Sequence, residues 1–124
     1  MGRFVVALEG TPMGDGRVIE PFALQSAEAS GIPVRLNYPG GTTIGWASGF
    51  TSDEEGKISY EIAWNDQGYT MGCAWRFKHV VITNEQWGTG EEETHLKKGV
   101  IDQILVSDNA TPWDLLNHSN LNRN

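Results

Sequence analysis

A mainly β domain, a small β-barrel or sandwich with one or two short helices, is the fold class this sequence predicts. Three observations predict it. Residues 58–64 (ISYEIAW) set Ile58, Tyr60, Ile62 and Trp64 against Ser59, Glu61 and Ala63, the two-residue period of a strand with one buried face. Residues 34–50 (VRLNYPGGTTIGWASGF) read as strand, tight turn, strand, because Pro39-Gly40-Gly41 interrupts two extended runs. Only residues 22–30 (FALQSAEAS) in the N-terminal half have a helix-forming composition, with Gly31 and Pro33 behind them as a stop. A single short helix beside many strands points to a mainly β domain.

The elements follow in order. Residues 3–8 (RFVVAL) are rich in β-branched and aromatic side chains and form the first strand, closed by Gly10-Thr11-Pro12. Met13-Gly14-Asp15-Gly16 is a loop or hairpin turn, and residues 17–19 resume briefly before Pro21 stops them. In the central hairpin, Val34 and Leu36 alternate with Arg35 and Asn37. Its second strand places Ile44, Trp46 and Ser48 on one face and Gly45, Ala47 and Gly49 on the other, where small residues admit a close neighbour. Residues 51–57 (TSDEEGK) form an acidic turn with Gly56 in a left-handed position.

Asn65-Asp66-Gln67-Gly68 is a further turn, and residues 69–75 and 77–83 are two more extended runs. Residues 85–94 (EQWGTGEEET) are expected as an exposed loop, since two glycines and three successive glutamates do not pack in a core. Residues 100–107 (VIDQILVS) are the last strong strand. Thr111 and Pro112 are placed to cap and open a helical turn. Residues 117–124 (NHSNLNRN) make a polar tail that a neighbouring chain is expected to pin down. No repeat or boundary divides residues 1–124, so they read as one domain.

Composition narrows the function classes. The formal net charge of −7 disfavours a nucleic-acid backbone as partner, because phosphate binding needs clustered Lys and Arg. No apolar run reaches the length of a membrane span, and the N-terminus shows no basic region followed by an apolar one. The lone Cys73 excludes an internal disulfide framework and reads as a small buried hydrophobe. His79, His95 and His118 have no paired ligand spacing, so no metal is expected, and Asp53-Glu54-Glu55 lacks the alternating ligands of a calcium loop. Gly14-Asp15-Gly16 and Gly40-Gly41 are turns, not phosphate cradles, and no cofactor is expected. Ser48 or Thr43 facing His79 across a barrel is the nucleophile–base combination that remains open against cross-strand hydroxyl pairing and a surface histidine.

Aromatic residues carry the interaction signal. Trp46, Trp64 and Trp75 fall within strand patterns and are expected in the core. Trp87 lies in a Gly-flanked acidic loop and Trp113 just before the polar tail, places where Trp serves as an interface anchor or folds back onto its own barrel. Trp87, Trp113 and Leu121 are therefore the candidate partner-binding residues, with no catalytic residue assigned.

Several of these stretches resemble the capsid maturation (prohead) proteases of tailed phages. Leu8-Glu9-Gly10-Thr11 and then residues 15–24 (DGRVIEPFAL) are similar to the family's opening strand, its DGR element and the approach to its helix. Ile32-Pro33-Val34-Arg35-Leu36-Asn37 is similar to its next strand, Thr43-Ile44-Gly45 to the step that follows, and residues 99–106 with Pro112 to its late strand. The departures carry the functional content. Tyr38 stands where the family has its catalytic histidine, and Val81, in His79-Val80-Val81-Ile82, where it has its serine. A phenol is a poor base at neutral pH and valine carries no nucleophile.

The resemblance thus implies an inactive, protease-like barrel. Such a chain would decorate the phage capsid, binding the outside of the major capsid protein lattice as a homo-oligomer, with a trimer expected at local three-fold seams. It would be made in the host cytoplasm and end in the virion. The alternative is an active serine-type prohead maturation protease, in which His79 or another histidine faces a Ser or Thr. A host β-barrel binding module unrelated to phage is the third reading.

Overall fold

A computed structural model describes residues 2–12 and 16–107. The strands are β1 (Gly2–Leu8), β2 (Val18–Ile19), β3 (Leu24–Ser26), β4 (Ile32–Leu36), β5 (Thr43–Ser52), β6 (Lys57–Trp64), β7 (Phe77–Trp87) and β8 (His95–Ser107). One short helix, α1 (Asp66–Thr70), and 3-10 turns at Cys73–Trp75 and Gly90–Glu92 lie between them. The chain is mainly β, as its alternation predicts, and forms one sheet curled into a half-barrel. β1, β6, β5 and β4 pair antiparallel in that spatial order, and β4 then pairs parallel with β8. The same edge of β8 also takes β2 and β3 in parallel, while its other edge takes β7 antiparallel. The curl brings β1 alongside β7.

Inside the curl lie Val34, Ile44, Ile58, Tyr60, Ile62, Ile101 and Ile104, all fully buried. Ile58, Tyr60 and Ile62 share one face of β6, as the alternation requires. The predicted β4–β5 hairpin forms, and its turn uses positive φ at Asn37 (69°) and Gly40 (78°). Its second strand departs from simple alternation. Val34 pairs Gly45 while Arg35 pairs Thr43, so Ile44 is the extra residue of a β-bulge. The bulge turns Ile44 and Ala47 inward and Trp46 outward, correcting the expectation of a core Trp46.

Residues 22–30 do not form the expected helix. Phe22 takes φ +64°, and Leu24, Gln25 and Ser26 pair with Gly99, Val100 and Ile101. Nine residues are too few to hold a helix without tertiary support, whereas the edge of β8 offers backbone partners that would otherwise be unsatisfied. Asn65 starts α1 instead of a plain turn, because its side chain accepts from Gly68 N at 2.9 Å. Residues 69–75 are correspondingly helical and 3-10, not extended, with Gly72 at φ +67° between the two pieces. Trp75 is left 92 % exposed and is not core. β7 runs on to Trp87, so only the remainder of the 85–94 stretch is turn. The helical turn expected at Thr111-Pro112 and the polar tail lie outside the described residues.

A buried carboxylate ties the strands to the 20–23 turn. Glu9 is 5 % exposed; its Oε2 accepts from Phe22 N at 3.1 Å and its Oε1 from Ser52 Oγ at 2.8 Å. Hydrogen bonds to a charged group contribute about 1.5–3 kcal/mol each, and their loss strands the donors. Glu9→Ala is expected to cost about 3 kcal/mol or more, seen as a lower denaturation midpoint; an unchanged midpoint would show that the clamp is not stabilising.

Candidate docking groove

The turn that carries Tyr38 and the strand that carries Val81 are both tied to Gln103. Val81 pairs with Gln103 across β7 and β8, and Gln103 Oε1 accepts from Gly40 N at 3.1 Å in the turn that carries Tyr38. Tyr38 is exposed and Val81 buried. Next to them, on the outer side of β4, a groove of about 480 Å³ is lined by Glu28, Ser30, Arg35, Trp46, Asp102 and Gln103 among others. Asp102 is there because of a second bulge: Val81 pairs Gln103 and Ile82 pairs Ile101, leaving Asp102 extra.

Each wall has a definite state. The Trp46 indole packs on Gly31, where an added Cβ would lie 2.1 Å from its Nε1, and the indole N–H donates to Ser30 O at 3.4 Å. Gly31 stands at φ +135°, so glycine serves both the backbone angle and the close approach. Arg35 Nη1 donates to Gly41 O at 3.0 Å and to Thr43 Oγ1 at 2.9 Å, which braces the hairpin turn. Asp102 Oδ2 accepts from Gln103 Nε2 at 3.3 Å. An indole, carboxylates and a braced guanidinium can hold a ligand by stacking and charge.

His79 is elsewhere. It is fully buried on β7 opposite Leu105, with its ring 6.4 Å from that of Phe77, whereas Thr43 is exposed with its hydroxyl taken by Arg35. The expected surface histidine is therefore a buried one. Trp87 is half-buried, with the Arg17 guanidinium 5.7 Å above its ring, beside a smaller pocket that Glu93 and Thr94 complete. Trp113 and Leu121 lie outside the described residues, as does His118.

Near Trp87, Glu20, Glu92 and His95 bring potential ligand atoms within 4.8 Å of one another. Lys97 already occupies that site, its Nζ 2.8 Å from Glu20 Oε2 and 3.0 Å from Glu92 Oε1, and His95 Nδ1 lies 3.0 Å from the same Glu20 oxygen. The Lys97 hydrogen bond holds the Glu20 carboxyl below its ordinary range, and Glu20 in return holds the Lys97 ammonium above its own. The cluster is an ion-pair network in which Lys97 bridges two carboxylates.

At the end of the barrel, Tyr69, Trp75 and Phe77 are exposed at 81, 92 and 50 %. Behind them Lys78 is buried, its Nζ donating to Ala74 O at 3.0 Å and Arg76 O at 2.7 Å and lying 4.6 Å from the Phe4 ring centroid and 5.6 Å from that of Trp64. Desolvation lowers the pKa of this ammonium, against a smaller opposing effect of Cys73. Cys73 is buried, as its single occurrence suggests.

Comparison of the chain with protein-family models, with curated proteins and with solved structures finds no match.

Sequence reasoning missed Trp46, Trp75 and Asp102 as surface features. For Trp75 a signal was available: Gly72 and the Asn65 cap mark residues 65–75 as turn-forming rather than extended. For Trp46 and Asp102 the deciding event is a bulge, which leaves no fixed mark in a short sequence window.

Proposed function

We propose that this chain is a non-enzymatic, protease-like barrel that decorates a phage capsid by binding the outside of the major capsid protein lattice. The observation that supports the reading is a groove, bordered by the Gln103 that pairs with Val81 and bonds the Tyr38 turn, whose side chains can bind but are poorly suited to acyl transfer. The exposed Tyr69, Trp75 and Phe77 add large aromatic area of the kind that anchors an interface at low entropic cost. Trimeric assembly at three-fold seams is part of the proposal, since such seams are where added burial stabilises a lattice. Among the described residues no helix is long and apolar enough to cross a membrane.

Copies counted in purified capsids test the reading. The expected result is a stoichiometric complement on mature particles, reduced when Trp75 is replaced by alanine; absence from mature particles would rule decoration out. The competing serine protease reading needs an imidazole that substrate can reach, and His79 has 0 % exposure. Co-expression with the major capsid protein distinguishes the two: cleavage that disappears in His79→Ala would overturn the proposal.

A further inference from the structure

We infer that the groove beside β4 is a receptor for a single cationic side chain, Lys or Arg, carried on an extended segment of a partner protein. The inference rests on the binding reading above in one respect: its occupant is a protein segment.

Three features carry it. First, Trp46 turns aromatic surface outward. Its indole rests against Gly31 and donates a 3.4 Å hydrogen bond to Ser30 O, and the residue is 49 % exposed, so part of its aromatic surface is open to solvent. A cation over a tryptophan face is attracted by the ring quadrupole. Second, the groove contains two carboxylates, Glu28 and Asp102, against one guanidinium. Arg35 spends its Nη1 on Gly41 O and Thr43 Oγ1, so it is braced by its own hairpin. A cation complements this balance, and the chain's net charge of −7 adds a favourable field at longer range. Third, about 480 Å³ is enough for a long basic side chain and the backbone around it.

The bulges explain why these groups meet. One rotates Trp46 out of β5 and the other adds Asp102 to β8. With regular alternation in either strand, the pair would not face the same groove.

The test titrates the full-length, ¹⁵N-labelled chain with a blocked alanine pentapeptide carrying a central arginine, and with a matched peptide carrying glutamine there. The indole N–H resonances are the readout, with those of Trp75 and Trp87 as internal controls. The expected result is a saturable shift of the Trp46 indole with the arginine peptide, at least fivefold weaker affinity for the glutamine peptide, and further weakening at high salt. Asp102→Asn, which changes no volume, should weaken arginine-peptide binding about three- to tenfold while the denaturation midpoint stays within error. Trp46→Phe should weaken it as well, because the smaller ring has the weaker quadrupole.

Equal binding of both peptides, no shift at Trp46, or insensitivity to Asp102→Asn would overturn the inference. Failure here leaves the capsid copy number untouched. Absence from capsids, conversely, leaves the peptide titration standing, so the two readings fail separately.

Discussion

Gly31→Ala is expected to lower stability by about 3–4 kcal/mol, the sum of two independent costs. The backbone there stands at φ +135°, a conformation that an L side chain adopts only under strain. The new methyl would also lie 2.1 Å from Trp46 Nε1 and 2.9 Å from Ala47 O. The indole can swing away; the carbonyl belongs to the β4–β5 ladder, where Ile32 pairs with Ala47, and cannot move far without breaking that pairing. Chemical denaturation of Gly31→Ala, Trp46→Ala and the double variant separates the two costs. The double variant should recover only the indole part and remain well below Trp46→Ala. Full recovery to the Trp46→Ala value would show that the backbone angle carries no strain. The same substitution should displace Trp46 from the groove and remove peptide binding there.

The second large effect is alkaline. Burial pushes the Tyr60 phenol up to about 12, with the Ser26 hydroxyl pulling more weakly the other way. Tyr60 is fully buried, with its ring edge-on to Phe50 at 5.5 Å. An unfolded tyrosine ionises near pH 10, so between about pH 10 and 12 the unfolded chain binds fewer protons than the folded one. Stability that is fully present below pH 10 is therefore lost as pH rises through the folded value. Two pK units correspond to about 2.7 kcal/mol. The difference in unfolding free energy between the wild type and Tyr60→Phe isolates this effect, because Lys78 and every other titrating group is common to both. That difference should fall by about 2–3 kcal/mol from pH 9 to pH 12; a flat difference would show that the phenol ionises equally easily in both states.

Much of the scaffold was legible in the residues. The alternation of Ile58, Tyr60 and Ile62 has one strand solution, and Pro39-Gly40-Gly41 permits little except a reversal between β4 and β5. Residues 22–30 depart from their helical composition for a definite reason: helix propensity is worth tenths of a kcal/mol per residue, less than the ladder that β8 offers to Leu24, Gln25 and Ser26. The candidate site was less legible still. The flanking glycines and acids mark Trp87, which lies with the Arg17 guanidinium over its ring, but period-two alternation puts Trp46 on the wrong face and carries no signal for Asp102.

The sequence by itself determined the class of fold, the central hairpin, the buried face of β6 and the exclusion of a disulfide framework. These depend on period-two burial, turn chemistry and residue counts, all of which act over a few neighbouring positions. Tertiary structure alone decided that residues 24–26 pair as a strand, that His79 is buried, and that Trp46 and Asp102 share a groove. The pairing turns on an edge more than seventy residues away in the chain, and the groove on one extra residue in each of two strands. Such placements follow from how the strands register against one another, and register is a property of the assembled sheet.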